Sequence, residues 1–201
     1  MARRAELLFD FVSPNAYLVW YPLREVLDRN DAGLDVVPVF LAGMHRLTGN
    51  APPMIRDAEV KGKNAYAMLE MNRFVAKHGL DRYKLNPKFP FNSILLQRML
   101  FAADQDGRAV QFVSTLLPAI WEKGIDPTDP EAIGEVLSAG GFDAGDLFER
   151  AQSDEVKQGL VDNTSRAVER GAFGIPTVFV GEEMFFGKER LAQIEDELAR
   201  T

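Results

Sequence analysis

The sequence predicts an α/β fold in which one small sheet is interrupted by a block of helices, and three observations lead to this prediction. The chain opens with two apolar runs of strand type, residues 5–12 and 34–40, with a helical pattern between them. From residue 41 to about residue 170 the apolar spacing is helical. The chain then returns to two short strand-like runs and a final helix. A β-α-β opening and a β-β-α ending should therefore build one sheet around the insertion.

The bounds of the elements follow from apolar spacing and from capping residues. The first helix, about 14–29, has Ser13 as its N-cap and Pro14 in its first position. The later helices are predicted at about 54–78, 92–106, 108–123 (interrupted by Pro118), 131–139, 144–151, 153–170 and 188–200, and the late strands at 177–180 and 184–186. Because no Pro/Ser-rich linker occurs, we expect a sheet domain at 1–40 and 153–201 and a helical domain at 41–152 that packs on it.

The charge balance of the chain narrows the classes of partner. The chain has 23 Lys and Arg residues against 30 Asp and Glu, for a net charge of −7. This balance argues against nucleic acid or an anionic membrane as the main partner. No apolar run approaches the ~18–20 residues that cross a bilayer, and there is no apolar segment of signal-peptide type. We expect a cytoplasmic protein.

The absence of cysteine is the most decisive feature of the composition. Disulfide exchange requires a thiolate, so the chain cannot itself act as a dithiol oxidoreductase, and any thiol chemistry must use a thiol from another molecule. Structural zinc of the cysteine type is excluded as well. The two histidines, His45 and His78, form no metal-ligand motif, so we expect no metal site.

Ser13 lies at a strand-to-helix junction, where unpaired backbone N–H groups and the helix dipole stabilise an anion. Two interpretations stay open: an ordinary N-cap, or a hydroxyl donor to a bound anion such as a thiolate. Asp10 is the one acid in the apolar run before this junction. We interpret it as a strand-end residue in contact with water, with proton relay or orientation of a neighbour as the alternative.

The segment Gly174-Ile175-Pro176-Thr177 stands directly before the third strand. A trans prolyl bond is the default, since only ~5–6% of X-Pro bonds are cis in folded proteins. In this arrangement of elements, however, a cis proline would expose the preceding backbone groups beside the start of the first helix, where a peptide-like ligand could pair with them. We therefore predict a cis bond between Ile175 and Pro176.

Six short motifs occur in order along nearly the whole chain. They are Phe-Asp-Phe-x-Ser-Pro at 9–14, Arg-Leu-Thr-Gly-Asn-Ala-Pro-Pro at 46–53, Lys63-x-x-Tyr66 followed by Arg73, Phe-Pro-x-Asn at 89–92, Gly-Ile-Pro-Thr at 174–177 and Phe-Gly-Lys-Glu-Arg-Leu at 186–191. Together they resemble the 2-hydroxychromene-2-carboxylate isomerase family, which belongs to the DsbA-like thioredoxin-fold group and is related to kappa-class glutathione transferases. The resemblance implies a thioredoxin-like fold with an inserted all-helical domain.

The resemblance also implies a glutathione-dependent cis-trans isomerase that acts on an intermediate of aromatic degradation. The tripeptide would supply the missing thiol, whose thiolate adds to a conjugated enone, permits rotation about the resulting single bond and leaves again. Ser13 would donate a hydrogen bond to the sulfur, and Ile175 and Pro176 would hold the cysteinyl backbone. The turn Gly187-Lys188-Glu189 would receive the γ-glutamyl end.

On the substrate side, the resemblance implicates Arg46, Asn50 and Asn92. The family usually has Lys where this chain has Arg46, and Asp where it has Glu189. A guanidinium still suits a carboxylate, and Glu189 has the alternative role of favouring the start of the last helix. Asn92 has the alternative role of a helix cap.

Other interpretations remain open. A kappa-like glutathione transferase would direct the same thiolate at an electrophile, and a non-catalytic thioredoxin-like protein would hold a peptide beside Pro176. Arg73 and Arg98 are either substrate contacts or ion-pair partners between helices. We expect a small organic acid or ketone as substrate, and by analogy a homodimer is the oligomer to consider.

Overall fold

The computed structural model describes residues 3–200 and contains four strands and ten α-helices in that range. The strands are β1 (Arg4–Phe9), β2 (Gly33–Pro38), β3 (Thr177–Val180) and β4 (Glu183–Phe186). The helices are α1 (Pro14–Arg29), α2 (Leu41–Thr48), α3 (Pro53–Arg56), α4 (Lys63–Lys77), α5 (Ile94–Gln105), α6 (Ala109–Trp121), α7 (Pro130–Ala139), α8 (Ala144–Arg150), α9 (Asp154–Glu169) and, after a 3₁₀ turn at Lys188–Arg190, α10 (Leu191–Arg200). Met1, Ala2 and Thr201, the outermost residues of the predicted sheet domain, lie outside the described residues.

The four strands form a single sheet in the order β2-β1-β3-β4. β1 and β2 are parallel and are joined by α1, whereas β3 runs antiparallel to both β1 and β4. The predicted arrangement, a β-α-β opening and a β-β-α ending in one sheet, is confirmed. The division into domains at residues 40/41 and 152/153 stays a prediction.

β1 ends at Phe9, earlier than predicted, because the backbone beyond it bonds to side chains of the helical block. Gln97 on α5 donates to the carbonyl oxygens of Phe9 (2.7 Å) and Val39 (2.8 Å) and accepts from the N–H of Phe11 at 3.3 Å. The indole of Trp121, at the end of α6, donates to the Phe11 carbonyl at 3.1 Å. These contacts satisfy buried backbone groups beyond the end of the strand ladder. They also hold the helical block against the end of the sheet where α1 begins.

The helical block differs from the prediction at three places. The sequence does not predict α2, because the N–H of Leu41 at its start is bonded to the Asp10 carboxyl (2.8 Å), a distant partner that leaves no local signal. The predicted helix at 54–78 is divided into α3 and α4, and Gly62 adopts a left-handed φ of +86° between them. Finally, α6 continues through Pro118, where an interruption is predicted.

The sheet and the helical block share one hydrophobic core. Phe11 links the two, because its ring meets Phe9 of β1 edge-on at 4.9 Å and Phe112 of α6 at 5.9 Å between centroids. All three side chains are fully buried. The residues just before Ser13 are therefore held by packing from both parts of the chain.

Two helical glycines should respond to alanine in opposite ways. A Cβ at Gly159 of α9 would lie 2.1 Å from the Phe101 ring, so Gly159→Ala should force that ring to move and destabilise the protein by about 1–3 kcal/mol. At Gly134 of α7 the nearest atom is an ordinary 3.6 Å away, in the Phe148 ring, so Gly134→Ala should stabilise by about 0.5–1 kcal/mol. Urea unfolding of both variants measures the two changes in stability. Changes of the same sign would contradict the close packing of α9 against the Phe101 ring.

Candidate active site

Ser13 caps helix α1 and bridges to the segment before β3. Its Oγ accepts from the N–H of Ala16 at 3.3 Å and donates to the carbonyl oxygen of Ile175 at 3.3 Å. The residue is 5% exposed, and Pro14 follows it in the first turn of α1, so the predicted cap is confirmed. The hydroxyl therefore joins the positive end of α1 to the backbone at Ile175.

The Ile175-Pro176 peptide bond is cis, as predicted. The carbonyl of Pro176 accepts from the N–H of Gly187 at 3.0 Å, and Gly187 adopts a left-handed φ of +99°. The Thr177 hydroxyl donates to the Gly174 carbonyl at 2.8 Å. Ser13, the cis-prolyl segment and the turn after β4 thus lie together at one end of the sheet.

The turn that follows Gly187 holds a buried cation. Lys188 is only 7% exposed, forms an ion pair with the carboxylate of Glu189, and has its Nζ 5.3 Å from the ring centroid of Phe74 on α4. The helical block therefore contacts this turn through α4. An incoming ammonium group would have to share the Glu189 carboxylate with Lys188, and the role of this turn toward glutathione stays a prediction.

Asn50 lies beside the cis-prolyl segment. Its Nδ2 donates to the carbonyl of Phe173 at 2.8 Å. The ring of Phe173 contacts the ring of Phe186 at 4.5 Å between centroids, and both rings remain 38% exposed. Arg46, one helical turn earlier on α2, is exposed and has no hydrogen-bond or ion-pair partner among residues 3–200. Asn50 thus contacts the cis-prolyl segment, and the role of Arg46 toward a substrate stays a prediction.

Two of the remaining candidates, Asn92 and Arg73, bond to neighbouring residues, and Arg98 is partly unpaired. Asn92 lies one residue before Ser93, the N-cap of α5, and its side-chain oxygen accepts from the N–H of Ile94 at 3.0 Å, which satisfies one backbone donor at the start of that helix. Arg73 pairs with Glu70 on its own helix, α4, and not with another helix. The Nε of Arg98 is buried and has no hydrogen-bond partner in the described part of the chain. Contact of these three residues with a substrate stays a prediction.

Asp10 is completely buried, so its interpretation as a strand-end acid in contact with water is wrong. The chain turns sharply after β1, and the carboxyl folds into this turn, where it accepts from the N–H of Val12 at 3.1 Å and of Leu41 at 2.8 Å. Burial raises its pKa to about 6, although the Ser93 hydroxyl and the two backbone N–H groups favour the carboxylate. The Asp10 carbonyl oxygen also accepts from the N–H of Ser13 at 3.1 Å.

The sequence reasoning missed the residues that support the Ser13 turn from behind. Gln97 and Trp121 hold the backbone of Phe11, and the one available signal is a glutamine within the apolar first turns of α5. One turn beyond Ser13, the hydroxyl of Tyr17 donates to the carboxylate of Glu122 at 3.0 Å. That bond ties α1 to the end of α6.

The raised pKa of Asp10 should make stability depend on pH between about 4 and 6. Because the folded-state value lies above the ordinary 3.8, the folded protein retains a proton that the unfolded chain releases, so stability is highest below this window and falls as pH rises through it. The unfolding free energy of the wild type minus that of Asp10→Asn should therefore decrease by about 2 kcal/mol from pH 4 to 6. Urea midpoints at four pH values test this expectation.

If the unfolding free energies of the wild type and Asp10→Asn differed by the same amount at every pH, that result would contradict the expectation. Asp57 and Asp126, whose pKa values are lowered by hydrogen bonds from Arg56 and Thr128, affect both proteins equally and cancel.

Residues 3–200 contain neither a metal-binding cluster nor a membrane-spanning helix. No group of three or more His, Asp or Glu side chains there is arranged to hold a metal ion. None of the helices in that range is long and apolar enough to cross a membrane.

The sheet order, the helical insertion, and a serine at the start of α1 beside a cis proline define a thioredoxin-fold protein with a hydroxyl, and no thiol, at this junction. The chain belongs to the DSBA-like thioredoxin domain family, whose model matches residues 6–199. It is 29% identical over 201 residues to 2-hydroxychromene-2-carboxylate isomerase of Sphingobium xenophagum, covering 98% of this chain and 99% of that protein. It is 25% identical over 207 residues to human glutathione S-transferase kappa 1, and the alignment covers 95% of this chain and 88% of that protein.

A solved structure of 2-hydroxychromene-2-carboxylate isomerase superimposes with a TM-score of 0.81 at 26% identity and covers 98% of this chain and 95% of that one. The family resemblance and the thioredoxin-like fold class predicted from the sequence are both confirmed.

Proposed function

We propose that this protein is a glutathione-dependent isomerase of the 2-hydroxychromene-2-carboxylate type. The observation that carries the proposal is the position of the Ser13 hydroxyl. It lies at the start of α1, 3.3 Å from the Ile175 carbonyl and next to the cis-Pro176 bond, in a chain without cysteine. Similarity to isomerases and kappa-class transferases over nearly the whole chain supports an enzyme.

The groups at this junction fit a thiol-containing tripeptide. The Ile175 carbonyl, which now accepts from Ser13, is an acceptor suited to a peptide N–H, and the Ser13 hydroxyl can then turn to donate to a sulfur. When bound, glutathione would supply the nucleophilic thiolate that this chain lacks, for reversible addition to a conjugated enone. A hydroxyl donor and a helix end, each contributing about 1 kcal/mol, would lower a thiol pKa of about 8.5 to near 7.

Arg46 and Asn50 are the residues proposed to hold the substrate. An unpaired guanidinium suits a carboxylate, and it offsets locally the overall charge of −7, which opposes an anionic ligand. The Asn50 carboxamide is held by Phe173, whose ring packs on Phe186 and leaves both rings partly exposed for an aromatic substrate.

A kappa-like glutathione transferase is the second candidate, favoured by the similarity to human glutathione S-transferase kappa 1. It would use the same residues at Ser13 and Pro176. The two functions differ in the fate of glutathione, because an isomerase releases the thiol unchanged and a transferase consumes it in a stable conjugate.

The experiment supplies reduced glutathione with either 2-hydroxychromene-2-carboxylate or an activated aryl halide and follows both product absorbance and free thiol. Isomerisation at constant free thiol is the expected result. Loss of thiol with the halide, and no isomerisation, would replace the first candidate with the second. No turnover and no glutathione binding at millimolar concentration would contradict both and leave a non-catalytic binding protein.

A further inference from the structure

Asp10 joins two segments that carry different parts of the candidate site. Its Oδ2 accepts from the N–H of Leu41, the first residue of α2, at 2.8 Å. Its Oδ1 accepts from the N–H of Val12 at 3.1 Å, and its carbonyl oxygen accepts from the N–H of Ser13 at 3.1 Å. Because the residue is 0% exposed, water does not compete for these bonds.

The cis-prolyl segment connects α2 and the Ser13 turn a second time. Asn50, which follows α2, donates to the carbonyl of Phe173 at 2.8 Å. Two residues further along, the carbonyl of Ile175 accepts from the Ser13 hydroxyl at 3.3 Å. Hydrogen bonds therefore connect Asp10 to α2, the residue after α2 to the cis-prolyl segment, and that segment to the Ser13 turn.

We propose that Asp10 is a positioning residue that sets the distance between the thiol bound at Ser13 and the substrate held by Arg46 and Asn50. This inference rests on the proposed function. A carboxylate suits the role because it accepts from both segments at once, and because a negative charge at the start of α2 is favoured by the helix dipole. An amide of the same shape has only one acceptor oxygen and would leave one of the two N–H groups facing a donor.

The test compares Asp10→Asn with Thr164→Val. Thr164 on α9 accepts from the N–H of Phe40 at 3.0 Å, so its replacement also removes a buried bond at the start of α2 but leaves the Ser13 turn untouched. In Asp10→Asn we expect kcat for glutathione-dependent isomerisation to fall about tenfold or more, because small misplacements of reacting groups are costly. The Kd of glutathione should stay within about twofold, since the cis-prolyl segment keeps its bonds from Gly187 to the Pro176 carbonyl and from Thr177 to the Gly174 carbonyl.

A measurement that needs no ligand accompanies the kinetics. In Asp10→Asn at least one of the amide protons of Leu41 and Val12, the two that the carboxylate binds, should exchange faster, while those of α9 are unchanged. Leu41→Pro serves as a second variant. Proline removes the N–H that Asp10 binds at the first position of α2, together with a partly buried leucine side chain, and the extended backbone of Phe40 accepts a following proline.

An unchanged kcat in Asp10→Asn would overturn the inference, as would equal losses in Asp10→Asn and Thr164→Val or a parallel weakening of glutathione binding. Unchanged exchange at both Leu41 and Val12 would also overturn it. Absence of glutathione binding or turnover in the wild type would contradict the proposed function instead, and the exchange data would still decide whether Asp10 holds the two segments together.

Discussion

Replacing Ser13 by alanine should lower glutathione-dependent turnover by about 100-fold, because the site loses its hydroxyl donor to the developing sulfur anion. The carbonyl of Ile175 loses its present donor in the same step. Steady-state kinetics at saturating glutathione measure the effect. The decrease should appear in kcat, with a smaller change in the affinity for glutathione, whose peptide part is held by the backbone at Ile175 and Pro176.

The matched control for this variant is Ser153→Ala. Ser153 caps α9 just as Ser13 caps α1, accepting from the N–H of Val156 at 3.3 Å, but it lies at the start of another helix. Each alanine should lower stability by about 1 kcal/mol through loss of the cap. Equal activity of the two variants would show that Ser13 is only a helix cap.

Replacing Gln97 by methionine should destabilise the protein by about 3–5 kcal/mol, the largest stability effect expected. Methionine preserves the length of the side chain but leaves the Val39 carbonyl and the Phe11 N–H without their buried partner. The Phe9 carbonyl keeps one bond, from the N–H of Val39 at 3.2 Å. Urea unfolding measures the change in free energy.

The control for Gln97 is Gln158→Met on α9. Gln158 is exposed, and its side-chain partner within residues 3–200 is Asp162 on its own helix, so the change should stay within about 0.5 kcal/mol. A similarly small effect of Gln97→Met would mean that the contacts between the helical block and the end of β1 contribute little to the fold.

Local chemistry made one half of this structure predictable. The cap residue Ser13 and the fixed backbone angle of Pro14 indicate where α1 starts. Apolar spacing identifies the two early and the two late strands of the sheet. The cis bond at Pro176 is predictable only once the order of elements suggests the fold. The proposal that Ser13 binds the thiolate rests on the same order, since the fold determines which helix start meets the cis-prolyl segment.

The remainder depends on partners distant in sequence. The start of α2 is bonded to Asp10, 31 positions earlier in the chain, and Phe11 leaves the strand because Gln97 and Trp121 satisfy its backbone. A lysine in a turn is ordinarily exposed, but Lys188 is buried and lies against the ring of Phe74 on α4. In each case a partner distant in sequence determines the local structure or the burial, and no local pattern identifies that partner.

The most direct measurement of the central claim, that this protein activates a borrowed thiol, is the ultraviolet thiolate absorbance of bound glutathione as a function of pH. S-methylglutathione, which has no ionisable thiol, provides the baseline. We predict a saturable thiolate band with an apparent pKa about 1 to 1.5 units below the ~8.5 of a free thiol. Glutathione that binds with an unshifted thiol pKa, or that does not bind at millimolar concentration, would contradict the claim.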